Sequence, residues 1–186
     1  MRFEIILASY NPQYDFFSQQ INSILNQTYT SWVCHIVDDC SSLESQRKIQ
    51  SLIGSNPKFK IHFHQEHLGT FHNFERGLSY VSNQNCIVAL SDQDDIWDIN
   101  KLKIMLDYFV DNVILVHSDL CVISCNGTII YPSCWKYEKR NPIAANVEFL
   151  LVHNCVTGCS LAFSGVLLPY ILPFPHNDNH NSHLLH

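Results

Sequence analysis

Residues 86–97 read Cys-Ile-Val-Ala-Leu-Ser-Asp-Gln-Asp-Asp-Ile-Trp, an apolar run followed by three carboxylates. The run predicts a buried β-strand, and open α/β sheets build ligand sites at the carboxyl ends of their strands. In extended backbone Asp92 and Asp94 point to the same side, where two like charges repel unless a cation lies between them. Hard oxygen ligands favour Mg²⁺ or Mn²⁺, so this stretch predicts a metal site open to substrate phosphates. The alternative is a solvated acidic turn that caps the next helix.

Strand and helix patterns alternate before this stretch and just after it, which predicts an α/β fold with a mostly parallel sheet flanked by helices. The pattern predicts strands over 3–8, 33–37, 61–64, 86–90 and 113–116, with helices beginning near residues 17, 45, 71 and 102. After about Ser118 it becomes mixed. There we expect a hairpin around Asn126-Gly127, a loop over 132–142, a helix over 147–152, a strand over 157–163 and a short helix over 164–171.

Composition and charge exclude several classes of protein. A chain of 186 residues with 46% apolar and 15% charged residues suits one globular domain. The net charge is -6 and no basic stripe is present, so we expect no nucleic-acid partner. No signal peptide or bilayer-spanning run is apparent, which predicts a cytoplasmic protein. The eight cysteines form no Cys-x-x-Cys pair and are expected to be reduced.

Polar residues follow three of the predicted strands, and a doubly wound sheet brings such ends to one rim. A carboxylate at this rim can accept a hydrogen bond from a base N–H, an aromatic ring can lie against the base, and a cation can bridge two phosphates. The rim therefore predicts a nucleoside-diphosphate site. No Gly-rich phosphate loop is present, which argues against a P-loop NTPase and a dinucleotide-binding dehydrogenase. The three ends are Ala8-Ser9-Tyr10-Asn11, Asp38-Asp39 and Asp92-Gln93-Asp94-Asp95.

Seven stretches occur in a fixed order along the chain. They are I-I-L-A-S-Y-N (5–11), S-I-L-N-Q-T-Y (23–29), I-V-D-D-C-S (36–41), Leu68-Gly69 with Asn73-Phe74-Glu75-Arg76, S-D-Q-D-D-I-W-D-I-N-K-L (91–102), Ser118-Asp119 and Val156-Thr157-Gly158-Cys159. Together they resemble family-2 glycosyltransferases of the GT-A fold, most of all the bacterial surface-glycan transferases with their rhamnosyltransferase-like branch. The resemblance implies one GT-A domain over 1–175, with a nucleotide-binding half (1–117) and an acceptor-side half (118–175), then a His- and Asn-rich tail (176–186).

The resemblance also implies roles for individual residues. Asp39 matches the acid that reads the base, whereas Asp38 more often supports the loop. Asp94 matches the metal ligand. Arg76 matches a helix that approaches the donor sugar, and Thr157 and Gly158 match a strand near the acceptor. The remaining nucleotide-binding matches are Ala8, Ser9, Tyr10 and Asn11 for base and ribose, and Asp92 with Gln93 for ribose and diphosphate. For each of these residues the alternative role is plain packing or capping.

The implied activity is hexosyl or rhamnosyl transfer from a UDP-, dTDP- or GDP-linked donor to a hydroxyl of a growing surface glycan such as lipopolysaccharide. In the family's usual course the anomeric carbon is inverted, a carboxylate takes the acceptor proton, and Mg²⁺ or Mn²⁺ stabilises the departing diphosphate. The acceptor is expected to be lipid-linked, which would place the protein at the inner face of the cytoplasmic membrane through peripheral association.

The chain departs from the family pattern at two places. The family presents H-D-W-W after an L-P-F-P segment, with the Asp as base, but this motif does not follow Leu172-Pro173-Phe174-Pro175 here. We therefore expect the general base beyond His186, in a chain truncated at its C-terminus. His67 also stands where the family has the Asn of an N-x-G loop. A second hypothesis is accordingly a nucleotide-binding fragment with impaired catalysis.

Two further hypotheses start from single motifs. A phosphatase with an Asp-x-Asp nucleophile and acid would carry that pair after its first strand, whereas here the pair follows the fourth. A zinc site could use His180 with His183, or His62 with His64, but neither pair belongs to a set of four ligands at a known spacing. Both hypotheses account for fewer features of the sequence than the glycosyltransferase does.

Overall fold

The computed structural model describes residues 1–140 and 156–175, and a six-stranded sheet forms its centre. The strands in chain order are β1 (Arg2–Ser9), β2 (Trp32–Asp38), β3 (Phe59–Phe63), β4 (Cys86–Ser91), β5 (Leu115–His117), β6 (Val122–Ile123), β7 (Ile129–Tyr131) and β8 (Leu161–Ser164). The helices are α1 (Tyr14–Leu25), α2 (Leu43–Ile53), α3 (Thr70–Ser79), α4 (Lys101–Asp107) and α5 (Cys134–Tyr137), followed by a short helix at Leu168–Ile171.

The strand order in the sheet is β3-β2-β1-β4-β8-β5, while β6 and β7 pair separately as a hairpin. The strands β1 to β4 run parallel, and β8 lies antiparallel between β4 and β5. The sheet is therefore mixed but mostly parallel, which confirms the predicted fold class. Because β1, β2 and β4 are parallel neighbours, their carboxyl ends lie at one edge of the sheet.

Two apolar layers cover the two faces of the sheet. On one face Ile5 packs with Phe17 and Ile21 of α1, and on the other Ile6 packs with Leu78 of α3. The central strands β1, β2 and β4 are buried on both faces, as is typical of parallel sheets between helices. Within the described ranges, no helix combines the length and the apolar character needed to cross a membrane.

The structure corrects the prediction in the second half of the chain. The strand predicted over 157–163 is shorter, because Gly158–Ser160 forms a 3-10 helix and β8 covers only Leu161–Ser164. The Ser160 N–H and hydroxyl both donate to the Thr157 carbonyl, at 2.9 and 2.7 Å, and close this turn. Part of the predicted loop 132–142 is the helix α5, which Ser133 caps by accepting from the Lys136 N–H. The helix predicted over 147–152 and the tail lie outside the described residues.

A row of polar side chains, buried on β1 and β2 and half-buried on β3, crosses these three strands. Glu4 Oε2 lies 3.1 Å from His35 Nε2, and His35 Nδ1 lies 3.1 Å from His62 Nε2. Arg2 also donates to Glu4. Burial raises the pKa of Glu4, but the hydrogen bonds from His35 and Arg2 outweigh it and hold that pKa below its usual value. Ionised Glu4 is therefore favoured more in the folded than in the unfolded chain.

We expect the Glu4→Gln variant to lose part of the pH dependence of stability in acid. A carboxyl with a lowered pKa stabilises the fold above its unfolded pKa of about 4.3, and this contribution disappears as pH falls through the lower folded value. The melting temperature, measured by thermal unfolding between about pH 5 and pH 3, should therefore fall less steeply in Glu4→Gln than in wild type. Asp107→Asn, at an exposed acid of α4, is the control, and equal slopes in all three proteins would contradict this assignment.

Candidate functional site

Hydrogen bonds join the turns that follow β1, β2 and β4 into one surface. The Tyr10 N–H donates to Gln93 Oε1 at 2.8 Å, and the Asn11 N–H donates to Ser41 Oγ at 2.7 Å. Asn11 Oδ1 in turn accepts from the Ser42 N–H at 2.9 Å. Asn11 adopts a positive φ of 41°, a conformation that Asn tolerates better than most residues. The predicted rim thus forms, with Tyr10 and Asn11 exposed on it.

The residues just beneath this rim brace it from inside. Asp38 is fully buried and accepts hydrogen bonds from the Ser9 hydroxyl at 3.1 Å and the Ser41 N–H at 3.0 Å. Ala8 and Ser9 are themselves buried, with 8% and 2% exposure. Of the four predicted contacts in the first turn, Ala8 and Ser9 therefore pack under the surface, while Tyr10 and Asn11 face outward.

The Asp39 carboxylate accepts three hydrogen bonds from the protein and has the His67 imidazole beside it. Its Oδ1 accepts from the Leu68 N–H at 3.0 Å and from Arg76 Nη1 at 3.4 Å. Its Oδ2 accepts from the Gly69 N–H at 2.8 Å and lies 2.8 Å from His67 Nδ1. The side chain is only 2% exposed. Asp39 thereby ties the loop 67–69 to the end of β2.

The three residues predicted to lie near the donor sugar or the acceptor are found in two places. Arg76 lies beside Asp39 and also donates to the Glu66 carbonyl at 3.0 Å, so its guanidinium is held near the end of β2. Thr157 Oγ1 accepts from Arg140 Nη1 at 3.4 Å. Thr157 and Gly158 were expected in a strand, but Thr157 precedes the 3-10 helix that Gly158 begins, because the Thr157 carbonyl closes that turn. This turn brings Cys159 to the acids that follow β4.

The acidic segment after β4 is a turn. β4 ends at Ser91, and the chain turns at Gln93 and Asp94. The extended backbone assumed for Asp92 to Asp94 is therefore wrong. Instead, ligand atoms of Asp92, Asp95 and Cys159 lie within 4.8 Å of one another, while Asp94 is exposed. The turn geometry, which the sequence spacing does not specify, decides this pairing.

The charges around the turn leave an excess of carboxylates. Burial, together with the charges of the neighbouring Asp95 and Asp94, raises the pKa of Asp92 to about 6. Burial lowers the pKa of Lys101 to about 8, although the nearby acids oppose this shift. Lys101 Nζ donates to the Cys159 carbonyl at 2.6 Å. Lys101 interacts with Asp92 and Asp95, two carboxylates against one ammonium group, so an additional cation is electrostatically favoured here.

The donor atoms at the turn fit a hard divalent cation. Carboxylate oxygens are the ligands that Mg²⁺ and Mn²⁺ prefer, and Asp94 offers one toward solvent. Burial raises the pKa of the Cys159 thiol, which therefore stays protonated and donates to Asp92 and Asp95 instead of acting as a thiolate ligand. Lys101 and Cys159 were not predicted as site residues, although both lie in motifs that carry the family resemblance.

Asp94 lies at the junction of two cavities. Phe16 of α1 also lines both of them. The larger, about 290 Å³, is completed by Asn11, Gln13 and Gln93. The smaller, about 160 Å³, is completed by Gln19, Ile96, Ile123, Ser124, Cys125 and Gly127. One cavity therefore adjoins the turn after β1, the other adjoins the β6–β7 hairpin, and the exposed carboxylate faces both.

Two glycosyltransferases of known name are similar to this chain in sequence. WfgD of Escherichia coli, named as UDP-Glc:alpha-D-GlcNAc-diphosphoundecaprenol beta-1,3-glucosyltransferase, is 28% identical over 182 residues, which cover 95% of this chain and 66% of WfgD. TuaG of Bacillus subtilis, a putative teichuronic acid biosynthesis glycosyltransferase, is 27% identical over 58% of this chain and 41% of its own length. The chain thus spans less than two thirds of each of these relatives.

A solved structure agrees with the fold over most of the chain. The mannosyltransferase PcManGT from Pyrobaculum calidifontis, in complex with GDP-Man and Mn²⁺, superposes with a TM-score of 0.68 over 94% of this chain and 47% of that protein, at 19% identity. The similarity confirms the predicted GT-A fold. The family model described as "Glycosyl transferase family 2" matches residues 4–168. This chain therefore belongs to glycosyl transferase family 2, as its motifs predicted.

Proposed function

We propose that this chain binds a nucleotide-diphosphate sugar at the rim and transfers the sugar to a hydroxyl of an acceptor. The observation that carries the proposal is the union of three strand ends. Tyr10 is bonded to Gln93 and Asn11 to Ser41, and the exposed Asp94 faces an open cavity beside them. Family membership and the nucleotide-sugar complex of the mannosyltransferase support the same reading.

The proposed nucleotide runs along the rim from the second strand to the fourth. The base stacks on Tyr10 and donates to Asp39, the ribose lies near Asn11 and Asp92, and the diphosphate reaches Asp94. Asp94, with Asp92, would hold Mg²⁺ or Mn²⁺, which supplies Lewis-acid stabilisation of the departing diphosphate. Residues 1–117 form the nucleotide-binding half of this proposal, and 118–175 the acceptor side.

The remaining chemistry is orientation of the donor and removal of a proton from the acceptor. Hydrogen bonds that Asp38 and Gln93 accept from Ser9 and Tyr10 fix the turns that contact the nucleotide, so that little reorganisation is needed on binding. We propose inversion at the anomeric carbon in one displacement, which requires a carboxylate to accept the proton of the attacking hydroxyl. We assign the role of general base to none of the described residues.

The relatives guide the proposed acceptor. WfgD is named for a diphosphoundecaprenol-linked acceptor, and TuaG for teichuronic acid. We propose a lipid-linked glycan of the cell surface, of the lipopolysaccharide or polysaccharide kind, met at the inner face of the cytoplasmic membrane. Hexosyl and rhamnosyl transfer are both compatible with this proposal.

A donor screen tests the function. The chain is incubated with Mn²⁺ and with UDP-glucose, dTDP-rhamnose or GDP-mannose, with and without GlcNAc-diphosphoundecaprenol, and release of nucleotide diphosphate is followed. We expect one donor to be consumed in an acceptor-dependent manner. Donor binding without consumption would favour the second candidate, a nucleotide-binding fragment with impaired catalysis. The observation in its favour is that H-D-W-W does not follow Pro175. If no donor binds with Mn²⁺ or Mg²⁺, the proposal is refuted.

A further inference from the structure

His67 makes the same two contacts that the proposed function assigns to the base of the nucleotide. Its imidazole stacks on the Tyr10 ring, with centroids 4.2 Å apart and planes inclined by 27°. Its Nδ1 lies 2.8 Å from Asp39 Oδ2. Building on the proposed function, we infer that His67 occupies the nucleobase position and that the nucleotide binds by displacing it. His67 would then set the affinity for the base.

The hydrogen-bonding capacity of Asp39 makes this a competition. An ionised carboxylate offers about four acceptor positions. At Asp39 these face the Leu68 and Gly69 N–H groups, Arg76 and His67. A base N–H can therefore bond to this carboxylate well only after one of these four groups has left.

The His67 side chain is the donor that can leave at least cost. The Leu68 and Gly69 N–H groups belong to the backbone that leads into α3 and cannot turn away without moving the loop. Arg76 is 22% exposed and is also held by the Glu66 carbonyl at 3.0 Å. His67 is 49% exposed, and rotation about its side-chain bonds would carry the imidazole into solvent.

The chemistry of the imidazole matches that of the ligand it would imitate. His67 Nδ1 lies near two acceptors, Asp39 Oδ2 at 2.8 Å and the Asp39 carbonyl at 3.2 Å, and the tautomer with its proton on Nδ1 suits both contacts. A flat ring with a ring N–H, stacked on Tyr10, is also what uracil, thymine or guanine would present. When such a base binds, it can replace both the stacking on Tyr10 and the contact of a ring N–H with Asp39.

A competing side chain weakens binding in a predictable way. When the binding-competent state is only a fraction of the molecules, the apparent dissociation constant is the intrinsic one divided by that fraction. Removing the imidazole makes every molecule competent. If His67 holds the site in about nine molecules of ten, UDP affinity should rise about tenfold when the ring is removed, which is about 1.4 kcal/mol.

The experiment compares UDP with inorganic pyrophosphate, which has no base. Both are titrated calorimetrically with Mn²⁺ into wild type, His67→Ala and the control His72→Ala, which removes another partly exposed histidine outside the Asp39 contact. We expect His67→Ala to bind UDP about tenfold more tightly and pyrophosphate unchanged, with His72→Ala like wild type. On the wild-type protein, the ¹⁵N signals of the His67 ring should shift on addition of UDP but not of pyrophosphate.

The possible outcomes distinguish a failure of the His67 displacement from a failure of the proposed function. UDP affinity that is unchanged or reduced in His67→Ala, while wild type still binds UDP with Mn²⁺, overturns the displacement by His67 and leaves the proposed function intact. A tenfold gain that extends equally to pyrophosphate also overturns it, because the effect would not concern the base. If neither protein binds UDP with Mn²⁺, the titration is repeated with dTDP and GDP, and failure of all three overturns the proposed function and the inference with it.

Discussion

The Asp94→Ala variant should lose the metal dependence of nucleotide binding. Asp94 is the exposed carboxylate of the acidic turn and lines both cavities beside the rim. Removing a carboxylate that holds a divalent cation should lower UDP affinity in Mn²⁺ by about a hundredfold, while affinity without metal stays the same. Calorimetric titration of UDP with and without Mn²⁺ measures both quantities on each protein.

Controls separate this role from a general charge effect. Asp107→Ala removes an exposed acid of α4 outside the cavities and should keep the wild-type response to Mn²⁺. The competing assignment places the ion between Asp92 and Asp95, whose oxygens lie close together. Retained metal dependence in Asp94→Ala, with its loss in Asp95→Ala, would establish that arrangement and contradict ours.

Sequence reasoning located the rim because strand direction follows from a simple pattern. Apolar runs alternating with helical spacing imply parallel strands, and parallel strands bring the residues that follow them to one edge. Tyr10, Asp39 and Asp94 were found in this way. Their roles in binding remain predictions, but their placement at one edge needed only the directions of β1, β2 and β4.

The hydrogen-bond partners of buried polar side chains could not be predicted from the sequence. Asp39 is bonded to Leu68 and Gly69, about thirty residues away, through a loop without periodicity. Gln27 is buried, accepts from the Leu102 N–H at 3.0 Å and donates to the Asp98 carbonyl at 2.7 Å. Such side-chain bonds depend on the packed geometry of two distant segments, and nothing in the local residue pattern predicts them.

The same limit explains the error at the acidic turn. The two-residue spacing of Asp92 and Asp94 places them on one side only while the backbone is extended. β4 ends at Ser91, so the alternation stops one residue before the acids begin. The hydrogen bond from the Tyr10 N–H to Gln93 Oε1 then joins this turn to the turn that follows β1. Where a strand ends depends on such tertiary contacts, which the spacing of the acids does not contain.

Gly77→Ala should be among the most destabilising single substitutions in α3. A Cβ at this position would lie 2.3 Å from Ile6 Cγ2 and 3.0 Å from Val37 Cγ2. Ile6 and Val37 are fully buried in neighbouring parallel strands and have no space into which they can move. The helix must shift away from the sheet, and overpacking of this kind costs typically 1–3 kcal/mol and occasionally more. We expect about 3 kcal/mol, which lowers the melting temperature by about 6–12 °C in a chain of this size.

The displacement should also reach the nucleotide site, since Arg76 precedes Gly77 and contacts Asp39, and the loop 67–69 leads into the same helix. UDP affinity in Mn²⁺ should therefore fall even at temperatures where Gly77→Ala is fully folded. Ser79→Ala is the matched control, because Ser79 is exposed on the same helix and a surface substitution there should change stability by no more than about 0.5 kcal/mol. Thermal unfolding followed by circular dichroism measures both variants. If Gly77→Ala melts with the control, α3 does not lie against Ile6 and Val37 as closely as the structure has it.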